Sequence, residues 1–146
     1  MTERTVFQSM PRRLLVSLGP GATVHEAACV MTRANCGSVL IIEAGSKLLG
    51  IVTERDLMTR VLAKTLDPAT TPVSAVMTPH PQCITPDTKV ADAVLIMIER
   101  GFRHLPVIGD GGHVHGVFSV RDALPREVGI AVSLAEFNEQ VNDSLG

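Results

Sequence analysis

The chain has 146 residues, 45% of them hydrophobic, and a formal charge of −2; this supplies enough apolar material for one compact domain or two small halves sharing a core, and argues against disorder. No basic stripe stands out and tryptophan and tyrosine are absent, which disfavours sequence-independent nucleic-acid binding and leaves no aromatic platform for single strands. The longest apolar run, 93–98, is far shorter than the roughly 20 residues of a membrane helix, and Cys29, Cys36 and Cys83 stand singly in apolar surroundings, as reduced thiols of a cytoplasmic protein do.

Near the start, Val6-Phe7-Gln8-Ser9-Met10 reads as a short apolar turn. Arg12-Arg13-Leu14-Leu15-Val16 resembles the beginning of a signal peptide, but Ser17, Gly19 and Pro20 break its apolar stretch, so a soluble and unprocessed protein is expected. Thr23 opens a helix whose apolar positions, Val24, Ala27, Ala28 and Met31, are spaced by three and four. A continuous apolar run at 39–42, the turn Glu43-Ala44-Gly45-Ser46 and a second run at 48–52 predict a β-hairpin. The stretch Gly50-Ile51-Val52-Thr53-Glu54-Arg55-Asp56 carries the second strand into a helix through Leu57, Met58, Val61 and Leu62, and Asp67-Pro68-Ala69-Thr70-Thr71-Pro72 reads as a linker.

The same order then returns. Gly116-Val117-Phe118-Ser119-Val120-Arg121-Asp122 lies 66 positions after Gly50 to Asp56, and the register holds without a gap from Pro20 and Pro86 onward. Such a match marks a duplicated unit. Val73-Ser74-Ala75-Val76-Met77 matches the first lead-in at an offset of 67, Asp87 opens the second helix through Val90, Ala93, Val94 and Met97, and Leu105-Pro106-Val107-Ile108 with 114–118 forms the second hairpin. Pro106 must sit where its missing N–H does no harm. Pro125 makes the helix after Asp122 shorter or kinked, and Ile130, Leu134, Phe137 and Val141 predict a final amphipathic helix.

A hydroxyl and a carboxylate three residues apart at a helix start, Thr53 with Asp56 and Ser119 with Asp122, serve either as capping boxes or as ligand contacts, and the two uses can coexist. Arg55 and Arg121 are cations in a first helical turn, where the dipole disfavours them, so an anion would give them a purpose. His113 and His115 share one face of a strand, without the spacing of a metal site, and read as surface residues. Cys36 and His104 have no orienting carboxylate for thiol catalysis. Met10, Met31, Met58, Met77 and Met97 read as core filling.

A tandem β-α-β-β-α repeat closed each time by Gly-apolar-x-Ser/Thr-x-x-Asp resembles the cystathionine-β-synthase (CBS) domain family, the two copies together looking like one CBS pair or Bateman module. The resemblance implies an α/β fold of two pseudo-symmetric motifs, 6–66 and 73–128, joined by a linker at 67–72 and followed by a C-terminal amphipathic helix at 129–146. It implies two clefts that take an adenine nucleotide (AMP, ADP or ATP) or another adenosyl ligand, with the aspartate on the ribose hydroxyls and the hydroxyl residue beside sugar and phosphate. Each cleft would borrow a strand start from the other copy: Gly37, Ser38 and Val39 facing Ser119 and Asp122, and Arg103, His104 and Leu105 near Thr53 and Asp56. Val16 and Gln82 would flank the base, with Arg55, Arg121, Arg103 and His104 completing the phosphate site. A non-enzymatic regulatory module follows, with no metal and no required cofactor, a homodimer through the helix faces after Asp56 and Asp122, and a regulated partner protein. The alternative is a structural or interaction module whose clefts bind nothing and whose last helix docks on a partner.

Overall fold

The computed structural model describes residues 3–10 and 15–145; Arg12, Arg13 and Leu14 of the leader-like stretch lie outside the described residues. Helix α1 (Val6–Ser9) precedes strand β1 (Ser17–Leu18), helix α2 (Val24–Ala34) and the hairpin β2 (Ser38–Glu43) and β3 (Lys47–Thr53). Helix α3 begins as Glu54–Asp56 and continues as a π-helix over Leu57–Leu62. Strand β4 (Thr78–Pro79), helix α4 (Val90–Arg100), the hairpin β5 (His104–Ile108) and β6 (Val114–Ser119), and helix α5 (Pro125–Leu145) complete the chain.

The first sheet has the order β1-β2-β3-β4, with β1 parallel to β2 and the other pairs antiparallel. The second pairs β5 with β6 antiparallel and gains a parallel bridge from Ile84 to Val107, which stands where β1 stands in the first copy. On that flank Pro106 offers its carbonyl to the Ile84 N–H at 2.9 Å. The counterparts of β4 fall at positions 11–12, outside the described residues.

Helix ends explain how each strand start is aimed. Thr23 caps α2 by accepting from the Glu26 N–H at 3.1 Å, and Asn35 (φ 51°) and Gly101 (φ 74°) end α2 and α4 in the left-handed region, turning the chain straight into β2 and β5. The second helix departs from the sequence expectation: its cap is Lys89, the true register mate of Thr23, and it has no side-chain cap bond. Asp87 instead takes the Thr85 hydroxyl within the preceding turn.

Among the described residues, two larger apolar clusters, a smaller one of Val24, Val61 and Val76, and a seam form the core. Ala27, Met31, Val39, Ile41, Val52 and Val73 pack in the first half, and Val90, Ala93, Val94, Met97, Leu105, Val107 and Phe118 in the second, with Val6, Ile84 and Ala131. Leu40, Ile51 and Val114 join the sheets back to back, which is why β2 is buried on both faces. Val6 belongs to the second cluster and Val73 to the first, so the copies exchange their lead-ins. Thr5 bridges Lys89 and Thr23 bridges Pro72; Val6 N–H donates to the Thr88 carbonyl at 2.7 Å and Val73 N–H to that of Ala22 at 2.8 Å.

This exchange needs a glycine in β3. A Cβ on Gly50 would lie 2.6 Å from Met77 Sδ and 2.7 Å from the Thr78 carbonyl oxygen, and the carbonyl belongs to the paired β4 backbone. Gly50→Ala is therefore expected to cost roughly 1–2 kcal/mol through forced separation of β3 and β4, read as a lower urea midpoint; an unchanged midpoint would show that β4 can yield freely.

Three sequence expectations change. The shortened second helix and the final amphipathic helix are one element: Pro125 sits at the first position of α5, where its missing N–H costs nothing, and the helix runs unbroken across 128–129. Cys83 is exposed, because only Ile84 of its segment reaches the core, while Cys29 and Cys36 are half-buried; all three are free thiols. Met58 is 57% exposed and fills no core.

Candidate functional site

Because each strand start is delivered by a left-handed helix cap beside the other copy's helix start, the described residues enclose two hollows between the repeats. The first has a volume of about 510 Å3 and the second about 570 Å3, both in the range of small-molecule sites. Ser38 and Val39 of β2 and Leu105 of β5 are buried.

In the first cavity, Gly37 and Ser38 meet Ser119 and Arg121, with Val16 on the wall, while Val39 and Asp122 are not among its lining residues. In the second, Arg103 and His104 meet Thr53, Arg55 and Asp56, with Gln82 beside them, and Leu105 stays behind in the core. Of the fourteen residues singled out from the sequence, the fold thus sets eleven along one cavity or the other; Val39 and Leu105 are buried in the core, and Asp122 is half-buried and near enough to act on the charge of His104.

Both helix starts are reciprocal capping boxes. Asp56 Oδ2 accepts the Thr53 N–H at 2.9 Å and the Thr53 hydroxyl at 3.1 Å, and Thr53 Oγ1 accepts the Asp56 N–H at 3.3 Å. Asp56 Oδ1 faces Arg60 Nε at 3.7 Å, and Arg60 also donates to the carbonyls of Val76 and Met77. Asp122 Oδ2 accepts the Ser119 N–H at 3.0 Å, and Ser119 Oγ accepts from Arg121 N–H at 3.2 Å. Capping therefore occupies one carboxylate oxygen of each acid with short local bonds and leaves Thr53 and Asp56 on a cavity wall.

Several lining residues carry no motif. Glu54, the residue after Thr53, lines both cavities together with Arg103 and His104. Its N–H donates to the Gly37 carbonyl at 3.1 Å, and a Cβ on Gly37 would collide with Glu54 Oε1 and stand 3.2 Å from His104 Nε2. Glycine at 37 is what lets the Glu54 and His104 side chains close over the strand start. His115 lines the first cavity, in edge-on contact with His113 (ring centroids 4.6 Å apart) and Phe7 (5.9 Å), so it is more than a surface residue, whereas His113 is exposed and precedes β6. Met10 and Cys36 line the first cavity, and Met58 and Phe102 the second. The only sequence signal for these was adjacency to the motif or to a strand start.

Charge favours anions in both places. Arg103 and Arg121 oppose Glu54 in the first cavity; Arg55, Arg60 and Arg103 oppose Glu54 and Asp56 in the second. Burial pushes the His104 imidazole below its ordinary value, with Arg103 and Arg121 acting in the same direction and Glu54 and Asp122 against it. A histidine held neutral in the fold binds its proton more readily when unfolded. Stability should therefore be full above pH 6.5 and decline as pH falls toward the folded-state value, and the decline should be smaller in His104→Gln; identical Tm profiles of the two proteins between pH 7 and pH 5 would remove His104 as the cause.

A family model for the CBS domain matches residues 8–63 and 73–128. A 17.7 kDa protein of Acidianus ambivalens is 40% identical over 103 residues, covering 70% of this chain and 61% of its own length. CBS domain-containing protein CBSCBSPB2 of Arabidopsis thaliana is 38% identical over 109 residues, 75% of this chain but 20% of that protein; the chain thus spans about three fifths and one fifth of these relatives. Among solved structures, a CBS domain protein of Pyrobaculum aerophilum complexed with AMP superposes with a TM-score of 0.78 at 24% identity, over 90% of this chain and 100% of the other. CBSX2 in complex with AMP superposes with a TM-score of 0.67 at 25% identity, over 89% and 97%.

Proposed function

The chain belongs to the CBS domain family, and from that premise we propose that it is a regulatory, non-catalytic module binding an adenine nucleotide or related adenosyl ligand in the clefts between its repeats. The observation that carries this reading is the second cavity, where the Asp56 carboxylate and Thr53 from one copy stand opposite Arg103 and His104 from the other, with arginines in excess. A carboxylate only accepts, and a ribose cis-diol presents two adjacent donors, so Asp56 suits the sugar. Arg55 and Arg103 suit a phosphate, and Gln82 with the apolar Ile51 and Met58 offers a bed for the base. The AMP complex of CBSX2 supports the choice of ligand class.

In the first cavity Ser119, Arg121, Gly37, Ser38 and Val16 provide a similar surface, with Asp122 acting through the cap it makes at Ser119. A ligand spanning Thr53 and His104 ties the copies together, and it works as a switch when two arrangements of the module bind it unequally. Met58, Leu62 and Leu66 on one side and Ile130, Leu134, Phe137 and Val141 on α5 remain exposed, and we assign these faces to a homodimer contact and to a regulated partner in the cytoplasm. No helix among the described residues is long and apolar enough to cross a membrane.

Calorimetric titration with AMP, ATP, S-adenosylmethionine and NAD, alongside thermal shift, tests the reading. Saturable binding of at least one, with a rise in Tm that grows with ligand concentration, is expected. Silence from all four in both measurements would leave the structural or interaction module as the better account.

A further inference from the structure

The two cavities are not separate compartments. Among the described residues, Glu54, Arg103 and His104 line both. They come from both copies: Glu54 opens α3, and Arg103 and His104 lead into β5. Gly37 is the point on which Glu54 and His104 close, while Glu54 and Arg103 both keep solvent contact. Its composition is unequal. Arg103 is its one permanent cation, Glu54 is an acid, and burial with Arg103 and Arg121 nearby disfavours the charged form of His104.

We propose that the two cavities are antagonistic toward anionic ligands, the first phosphate bound taking Arg103 and leaving the second to face Glu54 without it. The proposal rests on the reading of the cavities as nucleotide sites and adds how their occupancies are linked. Each cavity retains an arginine of its own, Arg121 in the first and Arg55 in the second, so both can still fill. Arg60 is no substitute in the second cavity, because it is already held by Asp56 and by the carbonyls of Val76 and Met77. Two anions brought to opposite sides of one guanidinium also repel each other across a wall one side chain thick, a separation short against the Debye length, so that salt screens the repulsion only in part. An uncharged ligand of the same shape meets neither penalty. The coupling is reciprocal, as any linkage between two binding equilibria must be.

The test compares binding to the intact chain with binding to variants in which one cavity is closed. Ala34 and Thr59 are exposed residues on the rims of the first and second cavities, so Ala34→Trp and Thr59→Trp each fill one mouth without entering the core. AMP and adenosine are titrated into all three proteins by calorimetry at pH 7.5. For AMP, the product of the two association constants in the intact chain should fall on the order of tenfold below the product of the constants from the two blocked variants. For adenosine the two products should agree. Arg103→Ala, placed in the intact chain and in both blocked variants, should weaken AMP in both cavities and shrink the deficit between the products, which a merely structural residue would not do. Equal products for AMP in the intact chain, or the same deficit with adenosine, would overturn the antagonism while leaving nucleotide binding intact. No AMP binding by any of the proteins would overturn the nucleotide reading and the antagonism together.

Discussion

Replacing Arg4 with alanine is expected to lower the unfolding free energy by about 3 kcal/mol, which for a chain of this length corresponds to a fall in Tm of about 10 °C. Arg4 forms a forked pair with Glu127, Nε to Oε2 at 3.0 Å and Nη2 to Oε1 at 2.7 Å, and donates further to the Asp122 carbonyl at 3.1 Å. The Glu127 side chain is 5% exposed and that of Arg4 30%. Removing the arginine therefore strands a buried carboxylate whose remaining partner is the Leu124 N–H at 2.8 Å. Removing the acid is milder, because Arg4 can turn to water, so Glu127→Gln should cost about half as much. The pair also ties the first residues to the start of α5 and to the turn bearing Asp122, closing the ring that the exchanged lead-ins begin. The guanidinium holds the Glu127 carboxyl below its usual range, chiefly through the hydrogen bond. For an acid with a depressed folded-state value, the stabilisation is present above the unfolded value near 4.5 and is lost as pH falls through the folded one. The gap between wild type and Arg4→Ala should accordingly close in acid. Urea curves at pH 7 and pH 3 check both parts; a difference under about 0.5 kcal/mol at pH 7 would show the pair to be no more than a surface contact.

That pair could not have been read from the sequence. Its members are 123 positions apart, and a single long-range ion pair leaves no periodic trace. What the sequence does expose is whatever the duplication repeats. Gly50 with Gly116 and Thr53 with Ser119 announce themselves because backbone crowding and helix capping demand the same residue type in both copies. The hairpins are legible for a similar reason, since continuous apolar runs ending at Gly45 and Gly111 have few other uses. The exchange of lead-ins leaves only the one-residue change in offset, from 66 to 67, and an offset does not reveal which copy a segment packs against. Periodicity misplaces the second helix cap because Asp87 is the better capping residue by type, yet the register puts Lys89 there. Glu54 and His115 are hidden because the positions matching them, Val120 and Leu49, carry other chemistry. The cavities are most individual where the repeat is broken, and repetition is silent there.

Asp56 carries the remaining large effect, because it has two jobs that can be separated. As a cap it accepts from Thr53 through Oδ2, and as a wall residue it offers its charge to the second cavity beside Arg55 and Arg103. Asp56→Asn keeps an oxygen for the cap and loses the charge; Thr53→Ala keeps the charge and loses the hydroxyl partner. Asp56→Asn should therefore weaken AMP in the second cavity by about 30-fold, the value of a charge-assisted hydrogen bond to the ribose near 2 kcal/mol, while lowering stability by under about 1 kcal/mol. Thr53→Ala should do the reverse, costing about 1 kcal/mol in stability with affinity altered less than fivefold. Asp122→Asn, at a carboxylate that caps the Ser119 N–H, should resemble the capping case. Replacing AMP with 2′-deoxy-AMP supplies the chemical control: the wild-type chain should lose affinity for it, and Asp56→Asn should no longer tell the two nucleotides apart. If Asp56→Asn binds AMP as tightly as wild type and still discriminates against the deoxy form, the ribose is held elsewhere and Asp56 is a cap alone.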